Sequence, residues 1–330
     1  MKSVDLSVDF CGLKLRNPLI LTPGPMTQDG ESILQAAEHG AGAAINRSIE
    51  KKGGKDPMPC LSPLGGGILN ATTASASSVD DWIEREFPKA KKAGIPIIGS
   101  IFVLKAKSAV AEYTELAGKV ADAGAAMLHV VTNYVDMSLD EARAIIVAVK
   151  KMSDLPVCVN LNYAYDIERA GGLMRKAGAD AALVVDGPWA MKIDVSTGMP
   201  IIGSPDGTGH LCGRPVHPLS VYCVYKLAKA VDMPLIGSGG VYNGEDALEL
   251  MMAGATAVGL QSSVITDGFE VIGKIRDEMS QILERQGVKS VRDIVGKTIK
   301  MVGSRAEKDI KYHEKGNISL LEMRKILRNP

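Results

Sequence analysis

The sequence predicts an α/β chain folded as a (β/α)8 TIM barrel, and three observations carry that expectation. One junction recurs: a polar, helix-like stretch ends in Ala-Gly or Asp-X-Pro, and an apolar run follows at once. It is seen in "EHGAGAAIN", "KKAGIPIIGS", "ADAGAAMLHVV", "SDLPVCVNL", "RKAGADAALVV", "VDMPLIGS" and "MAGATAVGL". Glycine suits the left-handed position just past a helix end, and proline stops a helix and opens an extended run. The runs are continuous rather than alternating, as in parallel strands buried on both faces. Finally, no GxGxxG follows an early strand, which counts against an open doubly wound sheet.

The elements follow in order. Residues 5–18, "DLSVDFCGLKLRNP", predict a short N-terminal hairpin that closes the barrel floor. Strands are expected near 19–22, 43–47, 97–103, 127–132, 157–161, 181–186, 234–238 and 256–260. Helices are expected between most of them, for example over 107–123, 138–152, 166–177, 215–231 and 243–253. Eight such units suit a closed barrel. A long Gly/Pro/Ser-rich loop, 48–80, follows strand 2. Loops of that length in a compact domain are usually functional, and a barrel's βα loops lie on its reactive C-terminal face. The domain is expected over 1–302, with 303–330 a charged C-terminal appendage.

The chain has 330 residues, of which 46% are hydrophobic. Lys+Arg and Asp+Glu both number 38, so the net charge is zero and no basic run invites nucleic acid. The opening residues lack an apolar stretch of signal-peptide length, and no segment reaches about 20 apolar residues in a row, so no membrane span is expected. Five widely spaced cysteines, an odd number without a CxxC pair, predict reduced thiols in the cytoplasm and no self-contained iron–sulfur cluster. No His/Asp/Glu set has metal-ligand spacing, so no metal is expected.

The most informative stretch is Leu235–Ser263, "LIGSGGVYNGEDALELMMAGATAVGLQSS". Strand 7 ends at Ser238-Gly239-Gly240 and strand 8 at Gln261-Ser262-Ser263. In a barrel these neighbouring ends often hold a phosphate against glycine amides and a helix N-terminus. The bland alternative is a tight Gly-Gly turn with no ligand. "GTGHLCGRP" after strand 6 adds Gly209 and Gly213 to the same corner.

At these residues the chain resembles the dihydroorotate dehydrogenase family, FMN-dependent barrels that include the pyrimidine-reducing part of dihydropyrimidine dehydrogenases. The resemblance spans roughly 4–300. It rests on "LSVDFCGLKLRNPLILTPGP", "KDPMPC", "GGGILNATTAS" and, most specifically, the long run from His210 to Ser263. It implies an FMN phosphate on Gly213, Gly239, Gly240, Gln261 and Ser262, a flavin ring near Thr22, Pro23 and Gly24, and Asn70 facing a small-molecule substrate. It also implies a homodimer.

Three departures fall on the substrate side. Strand 4 of the family ends in an Asn-rich segment with a cysteine or serine base. In "LHVVTNYVDMS" the base position falls on Tyr134, and the flanking asparagines fall on Val131 and Asp136. The flavin-contacting lysine of strand 5 falls on Asn160, and a substrate asparagine of strand 6 on Asp186. The strand 2 lysine falls on Arg47, which keeps the positive charge that a reduced flavin needs. A phenol, with an ordinary pKa of about 10, is a better acid than base at neutral pH. Tyr134 is therefore read as a proton donor in the reduction of a C=C bond of a small planar substrate other than dihydroorotate, with mere pocket lining as the alternative.

Other candidates are weaker. Cys212 is read as a buried filler, Cys60 as an exposed loop residue, His217 as structural, His129 as barrel interior, and Lys105 and Lys107 as solvated loop lysines. Without cluster cysteines, electrons are expected to pass through a separate electron-transfer subunit, a nicotinamide cofactor or a soluble acceptor. The competing reading from another class is a non-redox barrel that binds a phosphorylated ligand as a lyase, isomerase or non-catalytic subunit, because phosphate binding alone does not specify chemistry.

Overall fold

Eight parallel strands close into a barrel in a computed structural model that describes residues 4–104, 109–132, 137–161, 163, 166–185 and 187–308. The strands are Leu19–Leu21, Ala43–Ile45, Ile97–Phe102, Met127–Val131, Val157–Leu161, Ala181–Val184, Leu235–Ser238 and Ala257–Leu260. Each pairs with the next in sequence, and the eighth returns to the first with Gly259 opposite Ile20. Almost every strand residue is buried, which is why these segments read as unbroken apolar runs. Strand 2 stops at Ile45, short of the expected 47, because the Arg47 amide turns out of the sheet to donate to Thr27 O at 2.8 Å.

Helices pack outside. Those at Ala109–Asp122, Leu139–Met152, Ile167–Lys176, His217–Ala230 and Gly244–Ala253 match the expected ones to within two residues at each end. Their starts are chemically marked. Ser138 accepts from the Glu141 amide, while the Glu141 carboxylate takes the Ser138 N–H at 2.8 Å, a reciprocal cap. Asn243 caps its helix through the Asp246 amide at 2.9 Å. The ring is completed by Gly30–Glu38, by a helical segment over 79–93, and by Glu270–Arg285.

The N-terminal hairpin, Val8–Phe10 against Leu13–Leu15, forms as expected, with Phe10 fully buried. Cys11 Sγ reaches the carbonyl of Asp180, just before strand 6, so the hairpin sits at the N-terminal ends of the strands. The segment expected as a plain loop over 48–80 holds structure of its own. Leu61–Leu64 and Gly67–Asn70 form a hairpin through Gly65-Gly66, with φ of 41° and 84°. Two residues with positive φ between paired strands are a tight turn that glycine adopts without strain. Gly209–Gly213 adds to the hairpin, and Trp189–Ala190 completes a four-stranded sheet. A helix over Lys297–Lys308 crosses the expected boundary at 302; the appendage past 308 lies outside the described residues. Among the described residues, no helix is long and apolar enough to cross a membrane.

Candidate active site

A cavity of about 880 Å3 opens between the C-terminal ends of the barrel strands and the four-stranded sheet, a size that suits a cofactor with a small substrate. Ten of the expected residues line it: Thr22, Pro23 and Gly24 after strand 1, Arg47 after strand 2, Asn160 on strand 5, Gly239 after strand 7, Gln261 and Ser262 after strand 8, and Asn70 and Gly213 from the sheet. Residues far apart in sequence therefore share one space.

The glycine corner is held from behind. Gly239 and Gly240 have φ of 114° and 69°, which other residues adopt only with strain. A Cβ on Gly239 would stand 2.2 Å from Ser220 Oγ. His217, on the helix after strand 6, makes hydrogen bonds to Gly239 O at 3.1 Å and to Glu249 Oε2 at 3.0 Å. Gly240 does not line the cavity; it packs behind, where a Cβ would stand 2.7 Å from Gly213 O and 2.8 Å from His217 Cβ.

Beside this corner Gln261 donates from Nε2 to Thr22 O at 2.9 Å, and Thr22 Oγ1 donates to Leu260 O at 2.9 Å. The two strand ends that should flank a flavin are thereby locked together. Gln261 Oε1 is buried and has no partner in the protein. A buried orphan acceptor costs free energy unless a ligand donor reaches it. The cavity size, the glycine turn and this acceptor fit an FMN.

One wall of the cavity carries charge. The Arg47 guanidinium is buried there, and it is not a lone cation. Its Nη2 lies 2.8 Å from both oxygens of Asp56, and Nε and Nη2 also reach Thr73 O. Asp56 further accepts from the Thr73 amide at 2.7 Å and its hydroxyl at 3.1 Å. Burial pushes the Asp56 carboxyl up, but the Thr73 amide and the Arg47 guanidinium outweigh it and hold the group below the usual carboxylate range. Sequence reasoning missed Asp56, whose place in "KDPMPC" gives no hint of a partner nine residues upstream.

A second missed feature runs beside it. Ser100 and His129 face each other across strands 3 and 4. Ser100 Oγ lies 2.9 Å from His129 Nδ1 and 2.9 Å from Ser48 Oγ, so a hydrogen-bonded chain links the barrel interior to the cavity wall. His129 is an interior residue, as expected, and it also lines the cavity. Past it, Val131 packs with Phe102 and Ala74 in a small apolar cluster. In the roof, the His210 ring lies against Trp189 with centroids 4.0 Å apart and the planes tilted by 34°. Cys212 is half-buried and lines the cavity, with Sγ 3.6 Å from His210 O. Cys60 is half-buried rather than exposed, since its loop is drawn in by the Ala71 amide on its carbonyl. Tyr134, Asp186, Lys105 and Lys107 lie outside the described residues. No group of three or more His, Cys, Asp or Glu that could hold a metal stands together among the described residues.

Known proteins share this arrangement of sequence. A family model described as dihydroorotate dehydrogenase matches residues 5–283. The chain is 36% identical over 310 residues to the dihydroorotate dehydrogenase B (NAD(+)), catalytic subunit, of Methanosarcina acetivorans, covering 89% of this chain and 96% of the relative. Proteins of the same description in Methanocella arvoryzae and Pyrococcus abyssi are 35% and 32% identical over 295 and 305 residues. They cover 86% and 90% of this chain and 95% and 100% of their own lengths. This agreement reaches from the floor hairpin past the glycine corner, and it favours flavin chemistry over a non-redox phosphate-binding barrel. The chain belongs to the dihydroorotate dehydrogenase family and is an FMN-dependent oxidoreductase acting on CH–CH bonds.

Proposed function

We propose that the protein reduces an activated C=C bond in a small planar substrate other than dihydroorotate, with Tyr134 as the proton donor. The observation that supports a changed substrate is the wall at the end of strand 4. Val131 stands at a position where the family carries an asparagine, and it joins Phe102 and Ala74 in an apolar cluster on the cavity. An enzyme site built to hydrogen-bond a substrate discriminates strongly against a partner that leaves those groups unpaired, and an apolar wall here cannot make that bond.

FMN, when bound, supplies a ring position that exchanges hydride with a neighbouring carbon. The chain's own residues supply the rest. Gly213, Gly239, Gln261 and Ser262 would hold the phosphate end, with Gly240 in the same turn. Thr22, Pro23 and Gly24 would flank the ring, and Asn160 would contact it from strand 5. Asn70 and Asp186 orient the substrate. The Asn70 side chain is already engaged with the Thr72 amide at 2.8 Å, which fixes its rotamer toward one use. Tyr134 delivers the proton to the substrate carbon opposite the hydride.

The relatives are named catalytic subunits of an NAD(+)-linked enzyme. We extend that arrangement to this chain: electrons reach it from a separate subunit or a nicotinamide cofactor, and the catalytic chains pair as a homodimer.

The test begins with the absorbance spectrum of the purified protein and identification of the released chromophore, followed by a screen of unsaturated compounds for flavin reoxidation. Tyr134→Phe is expected to keep FMN and to lose about 100- to 10,000-fold in turnover, the usual worth of a positioned acid. Undiminished turnover in that variant would remove Tyr134 from the mechanism. Fast turnover of dihydroorotate by the unaltered protein would remove the substrate assignment.

A further inference from the structure

Among the described residues that line the cavity, the charged groups are two cations, Arg47 and Lys55, and two carboxylates, Asp56 and Asp206. Lys55 and Asp206 are exposed at the rim, where water and salt screen them. Arg47 and Asp56 are withdrawn from water, with side chains 6% and 25% exposed. They are closed on each other and on Thr73: the guanidinium bridges Asp56 and the Thr73 carbonyl, while the carboxylate takes the Thr73 N–H and hydroxyl.

This closure matters for what can bind. A buried guanidinium with open donors is the usual hook for a carboxylate, because its fork matches the two oxygens. Here Asp56 sits on Nη2 and Thr73 O on Nε and Nη2, so the charge is already neutralised and only Nη1 is left to a ligand. A substrate carboxylate that took Nη2 would displace Asp56 and leave a buried carboxylate unpaired, and one that took Nη1 would lie beside Asp56 as a like charge of low screening. Both are costly away from bulk water. An uncharged ring meets neither cost. The Asp56 loop is also tied through Thr73 to the segment that carries Asn70, so the carboxylate and the substrate-facing asparagine form one unit.

We propose that Asp56 is a specificity residue: by neutralising Arg47 and standing beside its remaining donors as a negative charge, it fits the cavity to an uncharged planar ring whose C=C bond is conjugated to a carbonyl, and turns away the same ring bearing a carboxylate. This rests on the reading of the cavity as a planar-substrate site and names the class of substrate it takes.

The experiment is calorimetric titration of the FMN-loaded full chain with orotate and with orotamide, which share a ring and differ by carboxylate against carboxamide. The unaltered protein is expected to bind the amide at least tenfold more tightly. Asp56→Asn should tighten orotate at least tenfold, while Asp56→Glu, which keeps the charge, should not. A preference of the unaltered protein for orotate overturns the proposal, as does an Asp56→Asn variant without the gain. An equal gain in Asp56→Glu overturns it too, because loosening rather than charge would then be responsible. If Asp56→Asn does not retain FMN, the preference of the unaltered protein and its persistence in Asp56→Glu decide. Should none of the proteins bind either ring, the planar-substrate reading itself fails and this assignment falls with it. A failure confined to the orotate-to-orotamide ratio leaves that reading standing.

Discussion

Asp56 holds its proton less firmly in the folded chain than an isolated carboxylate does, and that difference fixes how its contribution to stability depends on pH. Its folded pKa is lowered, because the Thr73 amide and Arg47 outweigh the opposing effect of burial. Stabilisation by such a group is fully present above the unfolded value, about 3.9, and is lost as pH falls through the folded one. The pair is therefore expected to contribute a constant amount from about pH 5 to 8 and to fade below about pH 4. Asp56→Asn leaves the Arg47 charge buried and uncompensated, a loss on the order of 3–5 kcal/mol for a buried pair at neutral pH. The gap between the two proteins in denaturant unfolding should be widest near neutrality and should narrow in acid. A gap of constant size from pH 3 to 7 would mean that the two groups do not interact as an ion pair.

At the scale of elements, the ends of strands 3 and 4 are tied together by a residue from outside the barrel. Tyr113, on the helix Ala109–Asp122, is fully buried. Its hydroxyl donates to Val131 O and accepts from the Val103 amide at 3.2 Å. Burial pushes the Tyr113 phenol well above its ordinary value, so it stays a neutral donor throughout the working range. Tyr113→Phe would leave a buried amide and a buried carbonyl without this partner, at about 1–3 kcal/mol. It should lower the unfolding midpoint and also weaken substrate binding, because Val131 lines the cavity. Reduced stability with unchanged substrate affinity would mean that the strand ends keep their place without it. The same scale explains what the sequence discloses. Strands such as Val157–Leu161, "VCVNL", are buried on both faces and show it as a continuous run. The Leu61–Leu64 and Gly67–Asn70 hairpin hides in a stretch rich in glycine and proline, although Gly65-Gly66 between apolar runs is itself a hairpin signal. The glycine corner is legible because close backbone approach demands glycine. The Arg47–Asp56–Thr73 unit is not, since a side-chain contact between two loops leaves no periodic trace. Gly240 packs against Gly213 and His217, and the φ requirement that selects glycine at a ligand also selects it in a turn that merely supports one.

The molecule as a whole divides its tasks between its two ends. Every described residue assigned here to cofactor or substrate lies at the C-terminal mouth of the barrel or in the sheet above it. The floor is closed by the hairpin, whose Phe10 is fully buried in the same core as the strands. Barrels of this class commonly separate activity and stability in this way, and the separation can be tested directly. Phe10→Ala deletes a buried ring whose space the hairpin cannot readily close, an expected loss of about 3–5 kcal/mol. Interiors are close-packed and transmit strain, but strand hydrogen bonds hold the barrel's register along its length, and Gly239, Gln261 and Arg47 are each fixed by contacts at the mouth itself. The variant should therefore unfold at clearly lower denaturant while its FMN content and turnover at 25 °C stay within about twofold of the unaltered protein, as expected where stability and reactivity sit on opposite faces. A fall in turnover that tracks the fall in stability would show that floor and mouth are coupled through the core, and the constellation around the cavity would then have to be read as a property of the whole barrel rather than of its upper rim.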